Sequence, residues 1–523
     1  MTPRTRFRLV HLEGFVLGFL VMALELVAGR VLLPYFGSTI YQWGALITVV
    51  LACYATSYLV GGYLAHHERF RPYRGAIATA ATLVPAAYLA ALPSFFDAAM
   101  ARAASLPLLA ASLWGAVLLL AVPAFGLCLP NPILVDECAR DARHLTSVGS
   151  YFSLATLGNI AGTLLVSFVL VPGIGIKKTW WIVVAVTLLA AMVMRLVFAR
   201  GGEHDRRRTA ASLLVLLPLA GWATALAARS SCPSLWCKDS LYQRIEVTEE
   251  SLPGGGMAHL LHLDDSRPLR WAPGDRLVEG PSYTFVNRLA ATTAIVGKPE
   301  RVLILGIGGG GLHRVLGNFY PGAVRDGVEI DAGVLDAAVR FMGYRADPDA
   351  DVRVTDARSY FRDSTRRWDA VFMDIFWAHA LPSHLLTREF FHLVADHLSE
   401  RGIFVLHVHS RMLALDDFAP RLTATLSTAF GSLFATGTPS GSIFLVATKR
   451  PIDAAGMERR LREGSALVES PLSEWATELH PEAIVPDPEA EPFTDDRNDA
   501  DRYMVDYRRL RTYVPNAMTR FYE

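Results

Sequence analysis

Residues 301–316 read RVLILGIGGGGLHRVL, and this stretch decides the fold of the second half of the chain. The apolar run 301–305 predicts a buried strand, and the run after the glycines predicts the start of a helix. Glycines at this junction let the backbone approach a ligand at the N-terminus of the helix. The stretch therefore indicates a Rossmann-like domain that binds a nucleoside cofactor. The predicted cofactor contacts in this glycine loop (residues 306–311) are Gly306, Gly308 and Gly310.

Acidic residues follow the predicted strands after the glycine loop. Glu329 and Asp331 end a second apolar run about twenty residues on, at the spacing that suits hydrogen bonds to ribose hydroxyls. Asp356, with Ala357 beside it, follows a third run, and Asp374 follows a fourth. Ligands of open α/β sheets bind beyond the carboxyl ends of the strands. We therefore expect a purine near Asp356 and a reacting group near Asp374.

Other strand-like runs flank this core. Residues 402–407 and 442–447 predict later strands, the second of them at the edge of the sheet. Residues 241–247 and 259–263 alternate in polarity around a turn at 251–256, which predicts a small antiparallel sheet. The fold class is therefore an α/β Rossmann-like, methyltransferase-type domain preceded by a small β-sheet.

The first 230 residues are rich in Leu, Ala and Val and carry few charges. A bilayer core needs about 20 apolar residues per helix, and seven stretches meet that length. We predict a membrane bundle of seven transmembrane helices at 1–230, a small β subdomain at 231–285 and the catalytic domain at 286–523. The predicted spans are Val10–Leu33, Trp43–Ala65, Ala76–Phe96, Leu106–Leu129, Gly149–Val171, Thr179–Phe198 and Thr209–Ala228.

Loop charges predict the orientation of the bundle. Arginines cluster before the first span and after the second, fourth and sixth, which places the N-terminus in the cytoplasm. Seven spans would then place the soluble domain outside, whereas a nucleoside cofactor is made in the cytosol. Cys232 and Cys237 are close enough in sequence to pair, which favours the outside, but they are also compatible with two ordinary thiols. The sequence leaves the side of the soluble domain open.

Composition excludes some classes of function. Lys+Arg and Asp+Glu number 50 each, so no bulk charge predicts a nucleic-acid partner. The five cysteines form no zinc pattern, and we predict no metal. Glu25, Arg30 and Asn159 lie inside predicted spans, where we expect interhelical packing or local pairing.

These motifs resemble the spermidine synthases, the polyamine aminopropyltransferases, and in particular a bacterial membrane-fused group with seven N-terminal helices. The resemblance implies that Glu329 and Asp331 bind the ribose and that Asp356 and Ala357 bind the adenine. It implies that Asp374 is the catalytic base and that Gln243, on a leading strand, contacts the cofactor. The resemblance also extends to Glu25–Gly37, to Leu381–Phe390 and to Thr494–Asp496.

The reaction of the family suits these groups. An amine attacks the carbon beside the sulfonium of decarboxylated S-adenosylmethionine, and methylthioadenosine leaves. The enzyme orients both partners, and an aspartate takes the proton of the amine. The resemblance implies a multi-pass protein of the bacterial inner membrane whose partners are a small-molecule substrate and the lipid bilayer. It also admits a homodimer.

Several positions depart from the family pattern. Gly309 replaces the loop aspartate that holds the free amine of the donor, and Trp377 replaces the aspartate that grips the polyamine. Tyr283 begins a Tyr-Thr-Phe segment in place of Tyr-His-Glu, and Pro268 replaces a glutamine. Too few carboxylates remain to replace the water around a polyamine. The candidates for substrate contact are Tyr283, Trp377 and Asp495.

Three functions fit this pattern. The first is a transferase that uses S-adenosylmethionine or its decarboxylated form and releases methylthioadenosine, with an unusual acceptor, an intramolecular cyclisation or an elimination. The second is a methyltransferase, which would yield S-adenosylhomocysteine. The third is a membrane sensor or transporter that binds an adenosyl ligand without catalysis. Asp374 favours the first function, and Gly309 makes intact S-adenosylmethionine a strong candidate for the donor.

Overall fold

The chain divides between Cys232 and Pro233 into two units. The computed structural model describes residues 3–36, 40–103, 106–140, 146–199, 214–226, 234–252, 255–264, 269–278, 284–376, 381–415, 417–438, 441–500 and 503. Cys237 is disulfide-bonded, and Cys53, Cys128 and Cys138 are free thiols. Cys232 lies outside the described residues.

The described part of the first unit consists of helices joined by short turns. Six stretches within it are long and apolar enough to cross a bilayer, with mean hydropathies of 1.7 to 2.2. They correspond to the first six predicted spans. The seventh predicted span is described only over a shorter apolar helix, Leu214–Leu226. The six long stretches are Arg4–Leu33, Ile40–His66, Glu68–Ser94, Leu109–Ala139, Val148–Ile174 and Ile176–Val197.

Two of these stretches contain a π-helical turn, and a third, Glu68–Ser94, has a 3₁₀ turn at each end. The helices are α1 Pro3–Phe36, α2 Ile40–His66, α3 Arg74–Ala91, α4 Phe96–Arg102, α5 Leu108–Ala116, α6 Val122–Cys128, α7 Pro130–Arg140, α8 Thr146–Leu165, α9 Val171–Ile174, α10 Ile176–Val197 and α11 Leu214–Leu226. Two π-helical turns, Val117–Ala121 and Val166–Leu170, join α5 to α6 and α8 to α9, and 3₁₀ turns cover Glu68–Tyr73 and Leu92–Ser94.

Helices α1 and α8 pack backbone against backbone. A Cβ on Gly158 would lie 2.0 Å from the carbonyl oxygen of Phe15, and one on Gly18 would lie 2.2 Å from that of Ala155. No side chain fits at such distances, so each helix needs glycine at the crossing. The packing predicted around Asn159 is therefore observed, in the small-residue pattern of close membrane helices.

The second unit contains two sheets. The small sheet is antiparallel, in the order β1-β2-β3-β4, and the large sheet has the order β12-β10-β11-β9-β8-β5-β6-β7. Strands β5 to β9 pair in parallel, and the strands beyond them pair antiparallel. The strands are β1 Trp236–Asp239, β2 Arg244–Ser251, β3 Met257–Leu263, β4 Leu269–Trp271, β5 Arg301–Leu305, β6 Val324–Glu329, β7 Val352–Val354, β8 Trp368–Met373, β9 Leu398–His409, β10 Ser432–Gly437, β11 Ser442–Thr448 and β12 Glu482–Ile484.

Helices cover both faces of the large sheet. Strand β5 and residues 403–406 of β9 are buried on both faces, and each reads as a continuous apolar run. The helices are α12 Thr284–Ala291, α13 Gly311–Phe319, α14 Ala332–Phe341, α15 Ala357–Asp363, α16 Arg388–Asp396, α17 Ser410–Leu413, α18 Phe418–Ser427, α19 Ala454–Ser465 and α20 Leu472–Thr477, with 3₁₀ turns at Thr292–Ile295 and Ser383–Leu385.

The small sheet lies against α14. Ile245, Val247 and Leu261 of the small sheet share one buried apolar cluster with Val334 and Ala337 of the helix. Because α14 follows β6, this packing places the small sheet beside the part of the large sheet that carries the predicted ribose acids. The predicted α/β domain with a small β-sheet is therefore observed.

Two details of the predicted sheets are wrong. Residues 442–447 do not form an edge, because β11 pairs with both β9 and β10, and β12 lies at the edge. The three-residue strand β12 is too short and too exposed to give a sequence pattern.

Gln243 is not on a strand either. The hydroxyl of Ser240 accepts bonds from the N–H groups of Tyr242 and Gln243, each at 3.0 Å, and this turn delays the start of β2 to Arg244.

Candidate active site

The glycine loop joins β5 to α13 at the carboxyl end of the sheet. Gly306, Gly308 and Gly310 have φ angles of 89°, 53° and 74°, in the left-handed region that favours glycine. A Cβ on Gly306 would also lie 2.6 Å from the carbonyl oxygen of Asp374. The loop therefore brings its backbone against the segment that carries the predicted base.

Glu329, the last residue of β6, holds the glycine loop in place. Its carboxylate accepts hydrogen bonds from the N–H of Gly308 at 3.0 Å and from the N–H of Asp331 at 3.1 Å. Burial raises the pKa of Glu329 to about 6, although these backbone donors favour its charged form. Each carboxylate oxygen can accept a further bond, so ribose hydroxyls could bind here as predicted.

Asp331 has a different environment. One of its oxygens accepts from the N–H of Gly333 at 2.8 Å and so caps α14, and the other accepts from the hydroxyl of Ser240. Asp331 therefore fastens the turn of the small sheet to the helix that follows β6. Its direct contact with a cofactor stays a prediction.

Asp356 lies after β7 and caps α15, which begins at the buried Ala357. One oxygen accepts from the N–H groups of Arg358 and Ser359, at 2.9 and 3.2 Å, and the other lies 2.8 Å from Nε2 of His384. Partial burial alone would raise the pKa of Asp356. The bond from His384 and the two N–H donors outweigh burial and hold the pKa below its ordinary value. Asp356 therefore presents a charged acceptor beside β6.

Asp495, a predicted substrate contact, pairs with a residue at the start of α15, the helix that Asp356 caps. Its carboxylate pairs with the guanidinium of Arg358, Nη2 to Oδ2 at 2.6 Å, and its N–H donates to Glu389 at 3.0 Å. The motif Thr494–Asp496 thus contacts the start of α15. Tyr283 and Trp377, the other predicted substrate contacts, lie outside the described residues, as does Pro268. Gln243 is half-buried in the turn before β2.

Asp374 follows β8 and bonds to a histidine that sequence reasoning gave no role. Nδ1 of His407, on the neighbouring strand β9, lies 2.8 Å from Oδ1 of Asp374. A carboxylate only accepts hydrogen bonds, so Nδ1–H donates. The Asp374 side chain is 22% exposed and that of His407 is 2% exposed. The buried His407 therefore orients one carboxylate oxygen of Asp374, and the partly exposed carboxylate stays accessible to a ligand.

Aromatic rings enclose His407. Phe285 stacks on its ring at a centroid distance of 4.5 Å, and Phe376 meets it edge-on at 5.1 Å. Phe444 and His409 lie at 5.6 and 5.3 Å. We call these four residues the aromatic wall. Within the part of the chain that the structure describes, Nε2 of His407 has no hydrogen-bond partner. The bond to Asp374 is thus the only polar contact described for this ring.

The sequence held a signal for His407. It is a histidine within the apolar run of a parallel strand, one strand away from the predicted base. A buried polar group in such a run needs a partner, and the carboxyl end of β8 supplies one.

Gly309 adjoins an apolar surface. A Cβ at this position would lie 2.4 Å from Cδ2 of Leu269 and 3.2 Å from Cδ2 of Leu261. Leucine side chains of the small sheet therefore occupy the space into which a loop aspartate would extend. The replacement of the family's loop aspartate by Gly309 therefore fits the apolar side chains around this position.

Metal-ligand clusters are absent from the described residues: no group of three or more His, Cys, Asp or Glu side chains there could hold an ion. The site combines acids beside the glycine loop with one carboxylate that a histidine orients. The glycine loop, Glu329 and Asp356 form what we call the adenosine side, and Asp374, His407 and the aromatic wall form the acceptor side.

The chain is similar in sequence to known proteins. Residues 288–437 match the family described as Spermine/spermidine synthase domain. The polyamine aminopropyltransferase of Vibrio vulnificus is 31% identical over 155 residues, which cover 29% of this chain and 50% of that protein. The enzyme of the same name from Corynebacterium efficiens is 26% identical over 349 residues, which cover 61% of this chain and 63% of the relative.

A third relative has another activity. The eEF1A lysine and N-terminal methyltransferase of Danio rerio is 29% identical over 128 residues, which cover 23% of this chain and 19% of that protein. The chain spans less than two thirds of the length of each of these relatives.

Proposed function

The C-terminal part of the chain is a spermidine synthase domain, and on that premise we propose that the protein is a transferase that cleaves the sulfonium of an adenosyl donor and releases methylthioadenosine. The observation that carries this proposal is the Asp374–His407 pair, 2.8 Å from Nδ1 to Oδ1, whose backbone abuts Gly306 of the glycine loop. A base next to a nucleoside site is what this transfer needs.

The adenosine side would bind the donor. Glu329 has lone pairs free for two ribose hydroxyls, and Asp356 offers a charged acceptor to the exocyclic amine of adenine. The N-terminus of α13 favours negative rather than positive groups. The sulfonium is therefore better placed beyond the loop, towards Asp374, than over the start of the helix.

The acceptor side would carry out the chemistry. A neutral nucleophile attacks the carbon beside the sulfur, a nucleophile–carbon bond forms and the carbon–sulfur bond breaks. Methylthioadenosine leaves with the electron pair, and the proton of the nucleophile passes to Asp374. His407 donates to the other oxygen of the carboxylate and so fixes the direction from which Asp374 accepts.

The acceptor is proposed to be a small molecule other than a long polyamine. Leu269 and Leu261 line the surface at Gly309, and aromatic rings surround His407. Surfaces of this kind do not replace the water around several charges. Intact S-adenosylmethionine joins its decarboxylated form as a candidate donor, with cyclisation or elimination as a route that needs no second substrate.

The six long apolar helices support the proposal of a multi-pass protein of the bacterial inner membrane with the lipid bilayer as a partner. The proposal includes a homodimeric state. It places the second unit on either side of the bilayer, because the loop charges and the supply of the cofactor point to opposite sides.

A product analysis tests the activity. The purified full-length protein is incubated with S-adenosylmethionine and, separately, with the decarboxylated form, each with and without putrescine, and the products are measured by mass spectrometry. We expect methylthioadenosine. Measurable binding of either donor with no turnover would contradict the proposal.

A methyltransferase is the second candidate, because 128 residues of this chain are 29% identical to a protein methyltransferase. The same assay separates the two, since methyl transfer yields S-adenosylhomocysteine. Asp374 favours the first candidate, because a base is already oriented beside the donor site.

A further inference from the structure

A groove lies between α1 and α8 in the helical unit, and we call it the α1/α8 groove. Its volume is about 470 Å³, a size typical of ligand sites in proteins. Its apolar wall is formed by Phe7, Leu12 and Phe15 of α1 and by Leu154 of α8. The proposed reaction belongs to the second unit and makes no use of this groove.

The groove lies near the ends at which both helices begin. The two helices run in the same direction, because His11 contacts Ser150 and, further along both helices, Gly18 contacts Ala155. The helices begin at residues 3 and 146, so the groove occupies about the first four turns of α1 and the first three of α8. It is therefore at one end of the helical unit and not in its middle.

The polar side chains beside the groove are engaged within the protein. Nδ1–H of His11 donates to the carbonyl of Phe7 at 2.9 Å, and Nε2 lies 2.8 Å from the hydroxyl of Ser150. Both ring nitrogens of His11 therefore have partners, and the surface of the groove is almost entirely apolar. Such a surface favours a hydrocarbon occupant over a polar molecule.

The outer end of the groove is positively charged. Arg8 lines the groove, and Arg4, one turn earlier, lies on the same face of α1. Both arginines are exposed, whereas Arg6, on another face, pairs with Glu137 at 2.8 Å. The starts of α1 and α8 lie at the same end, and the start of a helix favours negative groups. An anion is therefore the complement of this end.

The order of these features along α1 matches the order of groups in a phospholipid. Arg8 comes first, followed one turn later by Leu12, which is 49% exposed, and then by Phe15. Seven residues of helix separate Arg8 from Phe15, a rise of about 10 Å. That rise is shorter than half of the roughly 30 Å hydrocarbon core, the depth that one acyl chain covers. A chain bound along the groove therefore places its phosphate at the arginines.

We propose that the α1/α8 groove binds one anionic phospholipid, with an acyl chain against Leu12, Phe15 and Leu154 and the phosphate at Arg8. This inference rests on the proposed membrane location. The loop arginines predict that this end of α1 faces the cytoplasm, and the cytoplasmic leaflet carries the anionic lipids. A lipid without net charge would fill the groove equally well but would gain less from the arginines.

Lipid binding to the purified full-length protein tests this inference. The protein is titrated with phosphatidylglycerol and, separately, with phosphatidylcholine of the same acyl chains, and bound lipids are counted by native mass spectrometry. We expect the first bound lipid to be phosphatidylglycerol, with a preference of at least about fivefold. Arg8→Gln should remove about a fivefold share of that affinity, as expected for one basic side chain at a charged membrane surface, and leave phosphatidylcholine unchanged.

The matched control for charge is Arg69→Gln, the same substitution at an exposed arginine that follows α2 and does not line the groove. We expect it to keep the preference of the parent for phosphatidylglycerol. Inorganic phosphate alone should not compete with the lipid, because it cannot occupy the apolar wall.

A second pair of variants tests the apolar wall. Leu154→Trp should weaken both lipids at least about fivefold, because the larger ring takes the space of the acyl chain. Leu157→Trp is the same substitution on the same helix, at a residue that is 50% exposed and does not line the groove. It should bind both lipids as the parent does. Melting temperatures close to that of the parent show that the variants are folded.

Three results would overturn the inference. The first is equal affinity of the parent for the two lipids, and the second is an equal loss in Arg8→Gln and Arg69→Gln. The third is unchanged lipid binding in a folded Leu154→Trp variant. Alkaline carbonate extraction of cell membranes separates this inference from the membrane proposal. Release of the protein from the membranes would contradict both, whereas retention without lipid preference would contradict the groove alone. The test needs no turnover, so failure of the proposed reaction would leave its result unchanged.

Discussion

The adenosine side and the acceptor side of the second unit hold their acids in different ways. Glu329 and Asp356 each accept two hydrogen bonds from backbone N–H groups, and Asp356 also bonds to His384. Asp374 is held by one imidazole that is itself enclosed by aromatic rings. Backbone donors persist through changes of side chain, whereas a side-chain partner and its enclosure can be exchanged residue by residue.

This contrast explains the pattern of departures. The adenosine side keeps its acids because the turns and helix caps of the fold depend on them. The acceptor side can lose or gain carboxylates at little cost to the fold. In the proposed reaction the donor would therefore be the constrained partner and the acceptor the variable one.

The largest expected effect is that of Asp374→Asn. Removing a general base lowers turnover by about 100- to 10,000-fold, whereas the adenosine side stays intact and should bind methylthioadenosine as before. Release of methylthioadenosine and calorimetric binding of the same nucleoside measure the two effects. A fully active variant would show that Asp374 is not the base, and a variant that no longer binds nucleoside would show that the two sides are not separable.

His407→Phe comes next, because it keeps an aromatic ring within the wall and removes the donor to Asp374. Loss of a hydrogen bond to a charged group costs roughly 1.5–3 kcal/mol, which corresponds to about a 10- to 100-fold fall in kcat. KM for the donor should change little. His407→Asn restores an N–H near the position of Nδ1 and should recover part of the rate. Equal rates in the two variants would reduce His407 to a packing residue.

The pH dependence of nucleoside binding tests Glu329. Its pKa is raised to about 6 in the folded protein, so its charged form, which accepts from ribose, is present above that pH and is lost as the pH falls. Affinity for methylthioadenosine should drop about tenfold between pH 7 and pH 5, as titration of a single acid requires. Asp356, with its lowered pKa, stays charged over this range. Glu329→Gln should bind weakly with little pH dependence, and an unchanged pH profile would assign the titration elsewhere.

The smallest effect is expected at Gly309. Gly309→Ala should lower the melting temperature, because its Cβ would be pressed against Leu269, and overpacking costs about 1–3 kcal/mol. Leu269→Ala in the same chain should relieve that cost. Gly309→Asp combined with Leu269→Ala should shift turnover several-fold towards the decarboxylated donor, measured as the ratio of rates with the two donors. An unchanged ratio would show that the apolar surface at Gly309 does not select the donor.

The positions of the glycine loop and of the acids that follow β6 and β7 could be predicted from the sequence because each of these parts is local. A glycine loop between a strand and a helix has its own pattern, and an acid after a strand follows from the same pattern. The structure shows those residues where the motif predicts them. The bond of Asp331 to Ser240 could not be predicted in this way, since it joins positions 91 residues apart.

The acceptor side was less predictable because it is made of contacts between distant segments. Phe285, Asp374, His407 and Phe444 come from four elements, and no local pattern reports that they meet. The edge strand β12 was missed for another reason, since three exposed residues carry no periodic signal. Asp495 was expected near the substrate by motif alone, and its ion pair with Arg358 joins positions 137 residues apart, which no local pattern reports.

The contact between Gly306 and Asp374 has a kinetic meaning. With the carbonyl oxygen of Asp374 only 2.6 Å from where a Cβ of Gly306 would be, the loop cannot shift under a bound nucleoside without moving the backbone that carries the base. In the proposed reaction, a nucleoside bound at the loop would therefore act on the backbone of Asp374. A protein built in this way is suited to an ordered scheme, in which the donor enters first and readies the base for the nucleophile that follows.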